Sequence, residues 1–478
     1  MRRVAVRILG IAVAGACLFS AVGGASVASA NGFGVPRMIA DIPPGDASAY
    51  VTTMVGMRGR LLYSWNNERA LMVSDGTAAG TRMIRRFESP TPRYITPSAS
   101  GIAFFSAGYN THRSQSEESG SELWATNGST ARLVRDISKG YCAPDDCTGD
   151  PSSNPHGFVA IGPSEVVFAA RNYNGTELWK SNGTWAGTVM VRNIAAAVTS
   201  EGFGISSDPT DLTRVGSEAF FSAYTPANGR ELWKSNATTV GTVVVHDRAG
   251  ASSNPGWLTD VNGTLYFAAT ANQIGRQLWK SNGTAAGTEV VRSIQRGAGG
   301  AMPTGLVNER GTLFFTAVDA VHGRELWKSN GTAAGTVMVK DIRPGPQSSG
   351  PLHLTASADG NVYFTATDGV YGRELWKSNG TAAGTVLVND IAPGAPASNP
   401  YDLHSYSGHL IFTAVNAYHN AEPWTSGGTT ATTSVFAEIY PGWTGSYPNG
   451  YAYANNSVFF SAVDNGHGRE LWVAPITK

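Results

Sequence analysis

The chain has 478 residues, and its 35 Lys+Arg balance its 35 Asp+Glu, so it offers no general attraction to nucleic acid or to an anionic membrane. Charged residues are 15% of the total against roughly 25% in an average domain, while 42% are hydrophobic, which excludes wholesale disorder. With 57 Gly and abundant Thr, Val and aromatic residues, the composition favours short strands joined by tight turns, an all-β fold.

Residues 1–30 differ from the rest. Arg2 and Arg3 precede an apolar stretch over residues 4–22, broken by Arg7, and small residues lead to Ala28-Ser29-Ala30. This order predicts a Sec-type signal peptide cleaved before Asn31, with residues 31–478 forming one domain of a secreted or cell-surface protein. Cys17 lacks the Leu three positions upstream that a lipoprotein site would carry. No later stretch approaches the ~20 apolar residues of a membrane span, so no transmembrane segment is expected.

From there the chain repeats itself about every 48 residues. Glu122-Leu123-Trp124, Glu177-Leu178-Trp179, Glu231-Leu232-Trp233, Gln277-Leu278-Trp279, Glu325-Leu326-Trp327, Glu374-Leu375-Trp376, Glu422-Pro423-Trp424 and Glu470-Leu471-Trp472 are copies of one motif. Ala70-Leu71-Met72 is a degenerate ninth, marked by the following Ser74-Asp75-Gly76-Thr77, which matches Ser329-Asn330-Gly331-Thr332 after Trp327.

The fifth unit shows the pattern in full. Strands are predicted over residues 258–261, 264–269, 277–281 and 289–294, with Asn262-Gly263 turning the first into the second. Four short strands per unit is the content of a propeller blade. Period-2 geometry puts Leu278 and Trp279 on opposite faces of the third strand, and both faces stay dry only if sheets stack on either side. The ninth unit ends after its third strand, whereas Met38-Ile39-Ala40-Asp41-Ile42 near the start reads like the fourth strand Met338-Val339-Lys340-Asp341-Ile342. The expectation is a β-propeller of about nine four-stranded blades, closed by pairing residues 38–42 with the last blade. An eight-bladed ring with one aberrant unit, or an open arc, is the alternative.

The units resemble the bacterial ELWxxDGT repeat family across residues 36–478. That resemblance implies an exported propeller-type repeat protein and carries no common activity with it. Here Asn replaces the acidic residue of the pattern at Asn127, Asn182, Asn236, Asn282, Asn330 and Asn379, and only Asp75 retains it. A cation site at that position would be weakened, since Asn supplies an oxygen without charge. Five of these Asn precede Gly, a pair that forms turns well, and Asn236 precedes Ala237. The recurring Arg230-Glu231, Arg324-Glu325, Arg373-Glu374 and Arg469-Glu470 are expected to link neighbouring blades.

Function is sought where the repeats differ. Fourth-to-first connections and second-to-third loops open on one face of such a propeller. The former carry His156, Asp211, Trp257, His353 and Asp402, each shortly after a Pro, and the latter carry His322, Tyr371, His419 and His467, with a polar insertion over residues 110–120. These side-chain types stack on sugar rings, bond hydroxyls or coordinate metals. They form the predicted ligand-binding set.

No nucleophile elbow, HExxH zinc site, Walker loop or dinucleotide fingerprint occurs, so no cofactor is indicated. Ser74-Asp75-Gly76-Thr77 differs in spacing from the sialidase S-x-D-x-G-x-T hairpin. Cys142 and Cys147 do not form a standard zinc pattern and fit a short loop-stapling disulfide in an exported protein. The sequence therefore reads as a monomeric binding module for a glycan or a surface protein. The alternative is a carbohydrate-active propeller enzyme, a glycoside hydrolase or a polysaccharide lyase in which His322, His353 and Tyr371 would converge.

Overall fold

The computed structural model describes residues 32–39, 48–109, 120–138, 152–200, 202–248, 251–417, 420–442 and 444–477. Nine four-stranded antiparallel sheets stand as blades in a ring. In eight of them the four strands are consecutive, as in Val51–Met57, Arg60–Trp65, Ala70–Ser74 and Arg82–Arg86 of blade 1. Blade 5 has Gly256–Val261, Thr264–Ala271, Gly275–Ser281 and Glu289–Arg292, every end within two residues of the predicted boundary. Each first strand adjoins the first strands of its neighbours, and Val51–Met57 meets Asn449–Ala454 of blade 9, so the nine-bladed ring is closed.

Closure uses both ends of the chain. Blade 9 is Asn449–Ala454, Ser457–Asp464 and Gly468–Pro475, with Arg37–Met38 as its fourth strand. Met38 pairs with Trp472 as Met338 pairs with Trp327, the register that the repeat alignment predicts. The pairing begins earlier than residue 38: Phe33 bridges Ile476, and Gly34 donates its N–H to the Pro475 carbonyl at 2.7 Å. Residues 40–42 of the predicted strand lie outside the described residues.

Stacking of the blades explains why both faces of the third strand are apolar. Leu278 of blade 5 and Trp327 of blade 6 share one buried cluster, as do Leu178 with Trp233 and Leu326 with Trp376. Every regular seam thus takes a Leu from one blade and a Trp from the next. A basic residue on the fourth strand covers several of these indoles. Arg85 lies 4.5 Å from the Trp124 ring centre and Arg192 5.8 Å from that of Trp233, a cation–π arrangement. Arg135, Arg192, Arg292 and Lys340 also donate to carbonyls of Thr188, Thr242, Thr336 and Thr385 in the following blade.

The Arg-Glu pairs behave differently from expectation. Glu325 reaches the link to the next blade, accepting from Ile342 N–H at 3.1 Å and from the N–H and hydroxyl of Ser349 at 2.8 and 2.6 Å. Arg324 instead stays within its own blade, donating to the Met302 carbonyl at 3.0 Å. Adjacent residues on a strand point to opposite faces, so the two cannot serve one contact. The fourth-strand cations, and Lys280 of a third strand through the Gly331 carbonyl, bond directly to the next blade, while Glu holds the link that leads to it. Where Glu becomes Gln277, the Ser of the link becomes Ala301, and the Gln amide donates to the Ile274 and Gln295 carbonyls.

The Asn-Gly loops are turns, as predicted. Asn330 Oδ1 accepts from Thr332 N–H at 3.1 Å and its hydroxyl at 2.8 Å, while Gly331 has φ 86° and donates to Ser329 Oγ. Asp75 makes the same bonds to Thr77, which hold its carboxyl below its usual range. Asn and Asp are equivalent here because only one acceptor oxygen is used.

Candidate functional site

The candidate site is the mouth of the ring on the face opposite these Asn-Gly loops. The starts of the third strands and the fourth-to-first connections meet there: Arg324 N–H donates to Ser348 Oγ at 2.8 Å, and the Gln277 side chain donates to the link carbonyl of Gln295. Each innermost strand carries a β-bulge near its start, for example between Thr210 and Thr213 and between Gly256 and Thr259. The bulged residue has positive φ in every blade: Thr53, Tyr94, Gly157, Asp211, Trp257, Gly305, His353, Asp402 and Gly450. Bulges re-aim side chains, and a bulky residue in this conformation is an outlier.

Four of the predicted residues, Asp211, Trp257, His353 and Asp402, occupy this one ring of positions. His156 lies one residue earlier and faces Tyr94 of blade 2 with ring centres 6.4 Å apart. Asp402 is committed to structure, bonding His404 Nε2 at 3.0 Å and accepting from Gly450 N–H at 2.6 Å; although burial acts to raise its pKa, these bonds lower it. His353 is pushed below the usual histidine range by burial and by Arg373, against a smaller opposing pull from Asp402.

The loop residues are placed separately. His322 and His467 are each held by an Asp three residues before, through Asp319 at 2.8 Å and Asp464 at 2.9 Å. That hydrogen bond raises the His322 pKa. Tyr371 N–H is capped by Asp368 in the same kind of loop. These are local loop contacts, and among the described residues no hydrogen bond or ion pair joins His322, Tyr371 and His353. His419, Cys142, Cys147 and residues 110–119 of the insertion lie outside the described residues.

Two features of the mouth escaped the sequence reading. Third-strand arginines ring it from behind: Arg230, Arg276, Arg324, Arg373 and Arg469 each donate to a carbonyl just before the first strand of their own blade. Burial lowers the pKa of Arg276, Arg324, Arg373 and Arg469. The second is the residue before the link Pro, which is also in the left-handed region and varies as Asn154, Asp208, Asn254, Met302, Asn399 and Tyr447. Tyr447, Tyr50 at the corresponding place in blade 1, Tyr94 and Trp257 are all exposed. The varied residue between a constant Ser or Ala and Pro was the available signal. Among the described residues no group of three or more His, Cys, Asp or Glu is placed to hold a metal.

No family model and no curated protein matches the chain. Among solved structures it is similar to a streptogramin B lyase, at 15% identity and TM-score 0.33, covering 68% of this chain and 94% of that one. It is also similar to a puromycin hydrolase (14%, TM-score 0.38, 81% of this chain and 61% of that one) and to a prolyl endopeptidase (11%, TM-score 0.41, 78% and 53%). Likeness at this level concerns fold alone. The blade count rests on the strand pairing of this chain.

Proposed function

We propose that the protein is an exported propeller of the ELWxxDGT type that acts as a monomeric binding module, taking a glycan or a surface macromolecule at the varied mouth. One observation carries this reading: nine equivalent positions at the mouth share a left-handed backbone, yet six hold a side chain, including exposed Trp257 and Tyr94. Holding such a residue there costs about 1–3 kcal/mol, and strain of this kind clusters at functional sites. The opposite face repeats one turn with little change. Among the described residues no helix is long and apolar enough to cross a membrane.

Retention of the purified protein on immobilised glycans and on candidate host surfaces tests the reading. Trp257→Ala and His353→Ala should reduce retention while leaving the melting temperature nearly unchanged. Asn330→Ala on the other face should do the reverse. Equal, small effects from both faces would leave a scaffold without a dedicated site. Polysaccharide turnover abolished by His353→Ala or Tyr371→Phe would replace binding with catalysis.

A further inference from the structure

Within that mouth, and resting on the reading above, the geometry points to a subsite on blades 4 and 5 for one uncharged hexopyranose unit, formed by Trp257, Asp211 and Arg276. Gly256, the residue before Trp257, is its floor. A methyl group added to Gly256 would lie 3.1 Å from Arg276 Nη2 and 3.3 Å from Asp211 Oδ2. The missing side chain therefore lets a carboxylate from blade 4 and a guanidinium from blade 5 converge over the backbone. Blades 4 and 6 have Thr210 and Thr304 at this register, and blade 7 has Leu352.

Both groups have bonding capacity to spare. Arg276 uses Nη1 on the Asn254 carbonyl at 2.6 Å, whereas Nη2 and the Asp211 carboxylate form no hydrogen bond among the described residues. Burial raises the Asp211 pKa, opposed by Arg276 and then Arg230. An acceptor beside a planar donor suits neighbouring hydroxyls, which donate to one and accept from the other. Trp257 is 51% exposed at φ 59°, so its indole is open to a ring that stacks on it. Elsewhere in the mouth the combination is broken: Asp402 is already bonded, and Gly157, Gly305 and Gly450 supply no side chain. An anionic sugar would face the Asp211 carboxylate and a cationic one the arginines, so the balanced pair selects a neutral unit.

The test measures binding of the purified protein to a β-linked glucan, an α-mannan and a galactan, with polygalacturonate as the anionic comparison. Affinity and the change in tryptophan fluorescence are both recorded. The wild type should bind at least one neutral polymer more tightly than polygalacturonate. Trp257→Ala should weaken that binding about tenfold or more and remove the fluorescence change. Gly256→Thr, which requires no left-handed backbone, should displace the Asp211–Arg276 pair and weaken binding to a similar degree without lowering the melting temperature. Asp211→Asn should weaken it less. Neutral-polymer binding that survives both Trp257→Ala and Gly256→Thr but is lost in Tyr94→Ala or His353→Ala would overturn the subsite and leave the mouth as the binding face. Preference for polygalacturonate would overturn the neutral assignment. Binding to none of the four polymers would overturn the glycan reading itself.

Discussion

The seam between blades 5 and 6 and the seam between blades 8 and 9 solve one packing problem in two ways. The first is the repeat solution, with Leu278 against buried Trp327, Phe315 and Tyr266 around them, and Arg292 and Lys280 bonding across to Thr336 and Gly331. In the second, Pro423 stands where the Leu should be and Trp472 is only half-buried. The space is filled from far away in sequence. Phe33 is buried there, edge-on to Phe436 at 5.9 Å, beside Tyr451 and Phe460.

The same N-terminal segment also serves the other face of blade 9, where Ile39 joins Val51, Met72 and Leu471. Identical seams can be made by any pair of identical blades, so they specify stacking without specifying where a ring ends. The irregular seam and the strand exchange supply that missing information.

The largest effect should come from removing residues 32–39. Burial of Phe33 and Ile39 is worth about 1.5–3 kcal/mol each, and the deletion also bares a strand edge in blade 9. A sharply lowered melting temperature is expected, and an unchanged one would show that closure does not depend on this strand. Next in size, Trp327→Ala should cost about 3–5 kcal/mol by opening a cavity in a regular seam, read by denaturant unfolding. Trp472→Ala should cost clearly less, because its indole is partly in water already; equal losses would erase the contrast between the two seams.

A smaller effect should follow pH. Burial raises the pKa of Glu177, Glu231, Glu325, Glu374 and Glu422, and pushes Glu122 up to about 7. A folded state that holds these protons more tightly than the unfolded chain gains stability below the ordinary Glu range of about 4.3 and loses it as pH rises towards 7. Thermal unfolding should therefore occur at a lower temperature at pH 7 than at pH 5. Combining Glu325→Gln with Ser349→Ala, which copies blade 5, should flatten part of this slope. The smallest change is expected from Asn330→Ala, which removes two bonds of an exposed turn and should cost about 1 kcal/mol.

Much of the scaffold was legible because it is written nine times. Leu278 and Trp279 on one strand required two dry faces, and the Met38 segment revealed both the missing strand and its register. The Asn-Gly turns follow from local geometry alone, since their bonds span at most seven residues, as between Ser329 and Thr336. The roles of Arg324 and Glu325 were not legible, because neighbours in sequence were read as partners although alternation sends them to opposite faces.

For the candidate site, sequence drew attention to Asp211, Trp257, His353 and Asp402 but could not rank them. Asp402 is consumed by contacts with His404 and Gly450, and the latter is 48 residues away. The convergence of Asp211 and Arg276 over Gly256 depends on two blades meeting at a bulge. Repetition and alternation are properties of one strand or one unit, so the sequence determined blade content, closure and turn chemistry. Which side chains share a space at the mouth is set by the curvature of a closed ring, and only the tertiary structure decided it.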